Sequence, residues 1–288
     1  MSVNQKINCQ LLGVGVWGPG FSNWSEFTDL IDHAAEKNIS ELMVSSPKPE
    51  VIPANERRRS PLPVRAAVEV SWQALQQSGL NSSDVACVFG SGLGDTDITD
   101  YMCRVLITDE KQLSPTKFHN SVHNAAAGYW TISTGCMKSA NSIAAYHDTV
   151  GTCLLEAMIQ ANQYQEAVLV SLFDTAVQET YKQIFPCDYS FAAALLVVPE
   201  SYSYNKGKSH HKILANISMS MEAGKTENGK FELPELFNSL YQQNPVAKVL
   251  PLLTALAKHK NAELQFSLGK KSKLAISFQP EAVSEVKR

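Results

Sequence analysis

Asn141-Ser-Ile-Ala-Ala-Tyr146-His147-Asp148-Thr-Val-Gly-Thr-Cys153 carries the chain from a short apolar run directly into a helical pattern. Residues 141–146 read as a strand. Residues 148–163 read as a helix, with Asp148 or Thr149 as the N-cap, because a short oxygen-bearing side chain there accepts from an otherwise orphaned backbone N–H.

Working outward, residues 85–89 (Val-Ala-Cys-Val-Phe) form a compact apolar strand closed by Gly90-Ser-Gly-Leu-Gly94. Two more apolar runs, residues 167–173 and 191–198, follow, the second ending at Pro199. Val64, Ala67, Val68, Trp72 and Leu75 recur at helical spacing and stop at Gly79. Residues 7–17 predict a strand ending in a glycine turn, and Asn23 with Glu26 opens a capping-box helix running to about residue 37. Strands alternating with helices over residues 1–200 imply an α/β sheet covered on both faces. After Pro199 the chain turns polar (residues 201–211), alternates (213–221), becomes helical around Pro251 and ends in two strands joined near Gly269. These elements are too few for a second domain of equal size. The expected organisation is a main domain of residues 1–200, with residues 201–288 as a reduced segment packed on it.

With 288 residues and 44% hydrophobic composition, the chain can bury a large core. A net charge of -3 offers no broad attraction to phosphate backbones, which argues against nucleic acid as partner. The longest apolar run, residues 191–198, is far short of a membrane span, and the apolar start is broken by Gly18-Pro-Gly20 as no signal segment is. Six scattered cysteines without a C-x-x-C pair read as reduced structural thiols, so the expected compartment is the cytoplasm.

Several motifs carry candidate chemistry. Gly13-Val-Gly-Val-Trp-Gly18 fits a dinucleotide fingerprint, but Pro19 and Gly20 delay the helix and residues 41–44, the next expected strand, end in Ser-Ser-Pro rather than a ribose-binding acid. Gly90-Ser-Gly-Leu-Gly94 lacks the Lys-Ser/Thr of a phosphate loop. His119 and His123 would share a helical face, yet no third ligand stands at a telling spacing, so neither a metal nor a cofactor is expected. Arg57-Arg58-Arg59 is either a solvated charge run or a docking site for an acidic partner such as an acyl carrier protein.

Residues 118–161 resemble β-ketoacyl synthases in the segment leading to their nucleophile. Asn124-x-x-x-Gly128-x-x-Thr131-Ile132 is similar to the family's Asn-x-x-x-Gly helix, and Ser142-Ile143-Ala144 to the strand before its Thr-Ala-Cys. Weaker similarity covers most of residues 1–200 in the family's order. The resemblance implies a thiolase-like layered α/β/α fold with a mixed five-stranded core sheet and a shortened C-terminal half. In that family a cysteine sits on a strand-turn-helix elbow, where the helix N-terminus favours the thiolate that accepts an acyl chain. Here Ala145-Tyr146-His147 stands in place of Thr-Ala-Cys, and an acyl-imidazole hydrolyses too readily to be a lasting carrier. Cys136 and Cys153 are not placed to substitute, and His210, His211 and His259 lack the family's glycine-flanked histidine motifs.

The resemblance therefore implies a non-catalytic subunit akin to the chain length factors of type II polyketide systems, particularly those of aryl polyene clusters. Its expected partners are a ketosynthase, as a heterodimer, and an acyl carrier protein; a homodimer remains open. Tyr146, His147, Asp148, His119, His123 and Asn124 become tunnel or interface candidates, and a half-complete thiolase fold is expected to leave apolar surface for a partner to cover. The alternative is an independent acyl-thioester transferase or hydrolase using His147 as base.

Overall fold

The computed structural model describes residues 6–202, 212–226 and 231–281. Among these, β1 (Ile7–Trp17), β2 (Val85–Gly90), β3 (Ala140–Ile143), β4 (Ala167–Asp174), β5 (Phe191–Pro199), β6 (Ala215–Ala223), β7 (Ala262–Ser267) and β8 (Ser272–Pro280) form one mixed sheet. Its order is β3-β2-β4-β5-β1-β6-β8-β7. The sheet has eight strands rather than five, because three strands from after residue 212 continue it beyond β1. His210 and His211 lie outside the described residues.

The helices are α1 (Trp24–Asp32), α2 (Ala54–Arg59), α3 (Leu62–Ser78), α4 (Thr96–Leu106), α5 (Pro115–His119), α6 (Ala125–Thr134), α7 (Thr149–Tyr164), α8 (Asn238–Gln243) and α9 (Leu250–Ala257). Strand β5 shows why both faces are covered. Phe191, Ala193, Leu195 and Val197 face the core shared with α1, α7, α8 and α9, while Ala192, Ala194, Leu196 and Val198 face the core shared with α3 and α6. Each fully buried Val or Leu in these runs contributes about 2 kcal/mol. The added strands differ. In β6 and β8, Ile217, Met219, Leu274, Ile276 and Phe278 are buried, whereas Asn216, Ser218, Ser220 and Ser277 alternate with them on the other face. That second face is polar and, among the described residues, carries no helix; periodicity of two supplies its own solvent surface.

Two sequence expectations shift. Residues 41–44 form no strand: a short turn at Ile39–Glu41 runs into an extended segment with Met43 88% exposed, whose carbonyl accepts from Gly20 N at 2.9 Å. Helix α1 stops at Asp32, where its buried set Phe27, Leu30 and Ile31 ends. Its capping is as read: Asn23 Oδ1 accepts from Glu26 N at 3.0 Å, and Glu26 Oε2 accepts from Ser22 N at 2.7 Å.

The glycines of Gly13-Val-Gly-Val serve packing. A Cβ on Gly13 would stand 2.0 Å from Ala74 O, and one on Gly15 2.0 Å from Val70 O, so only glycine lets α3 lie this close to β1. Past Leu11, where pairing with β6 ends, α3 also supplies acceptors: Val14 N donates to Gln77 Oε1 at 2.7 Å and Val16 N to Gln73 Oε1 at 3.1 Å. Gly13→Ala is expected to cost about 3 kcal/mol in denaturant unfolding. Gly128→Ala, in α6 with open space around the new methyl group, is expected to stabilise by up to about 1 kcal/mol in the same measurement.

Candidate functional site

Strand β3 runs parallel to β2 and breaks into a tight turn before α7. Ala145 is extended in φ at -144°, and Tyr146 takes φ +48°, a left-handed conformation costing a non-glycine residue about 1–2 kcal/mol. Asp148 N donates to Ala145 O at 2.9 Å, and Ala145 N donates to the Oγ1 of buried Thr149 at 3.0 Å. These bonds fix a strand-turn-helix elbow with His147 one residue past the strained position. Neighbouring glycines make room for it. A Cβ on Gly92 would meet Tyr146 O at 2.9 Å and Pro245 Cβ at 2.7 Å, and one on Gly151 would meet Ser267 O at 2.4 Å.

Beneath the elbow lies a fully buried carboxylate. Asp174, at the end of β4, accepts from Ser91 Oγ (2.7 Å), Gly92 N (3.0 Å) and Leu93 N (2.9 Å). Asn244 Nδ2 donates to Asp174 O at 3.1 Å and to Tyr189 O at 2.9 Å, while Asn244 Oδ1 accepts from Val246 N and Ala247 N. Burial pushes the Asp174 carboxyl up to about 6, against the opposing pull of its three donors.

His147 and Asp148 open onto a cleft of about 1060 Å³ bounded by α7, α8, α9 and β7, with Lys248, Tyr241 and Phe266 also in its wall. His147 keeps part of its ring exposed, and the Tyr146 ring tilts against it with centroids 3.9 Å apart. Burial of the remainder, then the Lys248 charge, hold the imidazole below its ordinary range; Asp148 opposes them. No hydroxyl or thiol is hydrogen-bonded to the ring among the described residues.

The other expected residues lie elsewhere. Helix α5 ends at His119, so His119 and His123 do not share a helical face; both are exposed, as is Asn124 at the start of α6. None of the three lines the cleft. Among the described residues no group of three or more His, Cys, Asp or Glu could hold a metal ion. Arg58 and Arg59 are exposed on α2, whereas half-buried Arg57 donates to Pro49 O at 3.0 Å. Cys153 is fully buried below the elbow and its thiol is pushed up to about 12 by desolvation. His259 is exposed after α9.

Sequence reasoning missed Asp174, Ser91, Asn244 and Lys248. Two of these had a local signal: Asp174 is the lone acid closing an apolar strand, and Lys248 the lone charge in Pro245-Val-Ala-Lys-Val-Leu-Pro-Leu-Leu. No helix among the described residues is long and apolar enough to cross a membrane.

Residues 32–246 match the family described as beta-ketoacyl synthase, N-terminal domain. No curated protein matches the chain. Among solved structures, a chain of the ketosynthase ApeO in complex with its chain length factor ApeC from Xenorhabdus doucetiae superposes with a TM-score of 0.68 at 18% identity, over 94% of this chain and 99% of that one. A chain of the type II PKS acyl-carrier protein in complex with its ketosynthase bound to the hexaketide (AntDE:AntF) gives 0.72 at 13%, over 96% and 99%. One from the ishigamide ketosynthase/chain length factor gives 0.71 at 10%, over 96% and 100%. At these identities the likeness is one of fold, and the fold is the thiolase-like α/β arrangement.

The buried carboxylate makes stability depend on pH. Its folded value is raised above the ordinary 3.8, so its contribution is present below about pH 4 and lost as pH rises through about 6. Relative to Asp174→Asn, the wild-type unfolding free energy should fall by about 2 kcal/mol between pH 4 and pH 7, read from denaturant titrations. Parallel pH profiles for the two proteins would contradict this.

Proposed function

The chain belongs to the β-ketoacyl synthase N-terminal domain family, and from that premise we propose that it is a non-catalytic, chain-length-factor-like partner of a β-ketoacyl-ACP synthase. Its setting is polyketide assembly of the aryl polyene type, or a related fatty-acid-like sequence. The observation that carries this reading is the elbow: its backbone is retained, while an imidazole occupies the position that the resemblance assigns to the acyl-bearing sulfur. An independent transferase that carries an acyl group covalently, with His147 as base, would need a side-chain nucleophile beside the ring. None is hydrogen-bonded to it among the described residues.

The free edge of the sheet supports a partner role. Among the described residues β3 is an edge strand, paired only with β2. Ser139 O and Ile143 O accept from Cys87 N and Ser91 N, so by the alternation of a strand the Ser142 N–H points away from β2. Beside this edge, Ile132 on α6 is 85% exposed and Met137 94%. Phe118 and Val122, just before α6, are more than half exposed as well. An unpaired edge flanked by exposed apolar side chains is a template for pairing with another chain. In this reading a ketosynthase adds its own strand to β3, and Tyr146, His147, Asp148, His119, His123 and Asn124 stand near the acyl tunnel between the subunits. Arg58 and Arg59 offer charge to an acidic carrier protein, with Arg57 anchoring α2.

Co-expression with a β-ketoacyl synthase should give a one-to-one complex by size exclusion with light scattering. Ser142→Pro removes an outward N–H and adds bulk to the edge, and loses no side-chain bond because the Ser142 hydroxyl is buried without a partner. It should weaken association at least about tenfold, about 1.4 kcal/mol, with little change in melting temperature. A wild-type chain that stays apart from every synthase tried, or a Ser142→Pro complex of full affinity, would overturn the proposal.

A further inference from the structure

Lys248 stands out in the cleft beside His147 by what it lacks. Lys258 and Lys260 share Glu232 at 3.7 and 2.8 Å, and Glu263 accepts from the Ser277 hydroxyl at 2.7 Å. Among the described residues no carboxylate lies within ion-pair distance of Lys248. Its Nζ donates instead to the Tyr241 carbonyl and sits 4.1 Å from the centroid of the Tyr241 ring. The amine has thus left water without gaining a counter-ion, and burial lowers it to about 8, so a useful fraction is unprotonated near neutrality. The wall around it is apolar on one side, with Phe231, Leu233, Tyr241 and Phe266.

We propose that this cleft is a carbonyl-binding site in which the Lys248 amine forms an imine with an aldehyde or ketone carrying an apolar tail. The Nζ lone pair adds to the carbonyl carbon, forming the C–N bond as the carbon–oxygen π pair moves to oxygen, which takes up a proton. The carbinolamine then expels its hydroxyl with a proton as water, leaving nitrogen doubly bonded to carbon; no oxidant or reductant is consumed. His147, in the same wall and with its imidazole shifted toward the neutral form, is the base available to take the Nζ proton and return it to the departing hydroxyl. The Tyr241 carbonyl orients the amine toward the cleft. This chemistry is independent of the partner role and can be read on the isolated chain.

The test incubates the purified full chain with octanal, or separately with β-ketooctanoyl N-acetylcysteamine, in the presence of sodium cyanoborohydride, and maps reduced adducts by peptide mass spectrometry. The cyanoborohydride delivers hydride to the imine carbon and solvent a proton to nitrogen, fixing a secondary amine. Lys248 should be labelled at least about tenfold faster than exposed Lys258 or Lys260, with the rate rising through about pH 8. Lys248→Met should abolish that fast label. Labelling by octanal alone would assign free carbonyl compounds as the ligand class; labelling by the thioester would assign acyl-chain intermediates. Adducts spread over the lysines with no excess at Lys248 would overturn the proposal, and that wild-type map decides the matter even if Lys248→Met fails to fold.

Discussion

The Asp174 carboxylate, sealed from solvent at the end of β4, gathers the Ser91 hydroxyl and the Gly92 and Leu93 N–H groups onto itself, while Asn244 bonds its main-chain carbonyl. Through its carboxylate and its main-chain carbonyl this one residue ties together three segments that meet under the elbow: the loop after β2, the end of β4 and the turn leading into α9. Removing a partner from such a group leaves desolvation uncompensated, so the network holds together or fails together. The positions of Gly92 and Pro245 follow from it. Those two residues bracket the carbonyl of Tyr146 and hold its left-handed backbone in place. The strain at the bend is sustained by surroundings that over-determine it.

How much of this was legible in the sequence depended on how local the cause was. Strands β2, β4 and β5 are buried on both faces, so they read as unbroken apolar runs, and α3 ends where Gly79 takes φ +70°. The Asn23–Glu26 cap was visible because its partners lie within four residues. Asp148 was read as an N-cap from the strand running into a helix, and the bend at His147 from the resemblance to the β-ketoacyl synthases. The Asp174 network was not, since its partners are 70 to 83 positions away in the chain. Nor could the isolation of Lys248 be read, because it depends on Glu232 being claimed by Lys258 and Lys260. His119 and His123 would have shared a face only on a continuous helix, and α5 ends at His119.

The molecule has the fold of its family and carries His147 at the elbow. Glycines at 90, 92 and 151 let backbone and side chains approach closely around the elbow, and those at 13 and 15 let α3 lie against β1. The sulfur expected at the bend is replaced by a ring, and the cysteine beneath it is buried with its thiol held protonated. What remains is an elbow, a cleft and an open sheet edge. Such a chain can contribute surface and shape to an assembly while another subunit performs covalent loading.

Covalent loading is therefore the quantity to measure. Intact-protein mass spectrometry after incubation with an acyl-carrier-bound thioester, with and without a ketosynthase, should find the acyl mass on the ketosynthase and never as a thioester on this chain. A stable acyl thioester on any cysteine of the isolated protein would contradict the account.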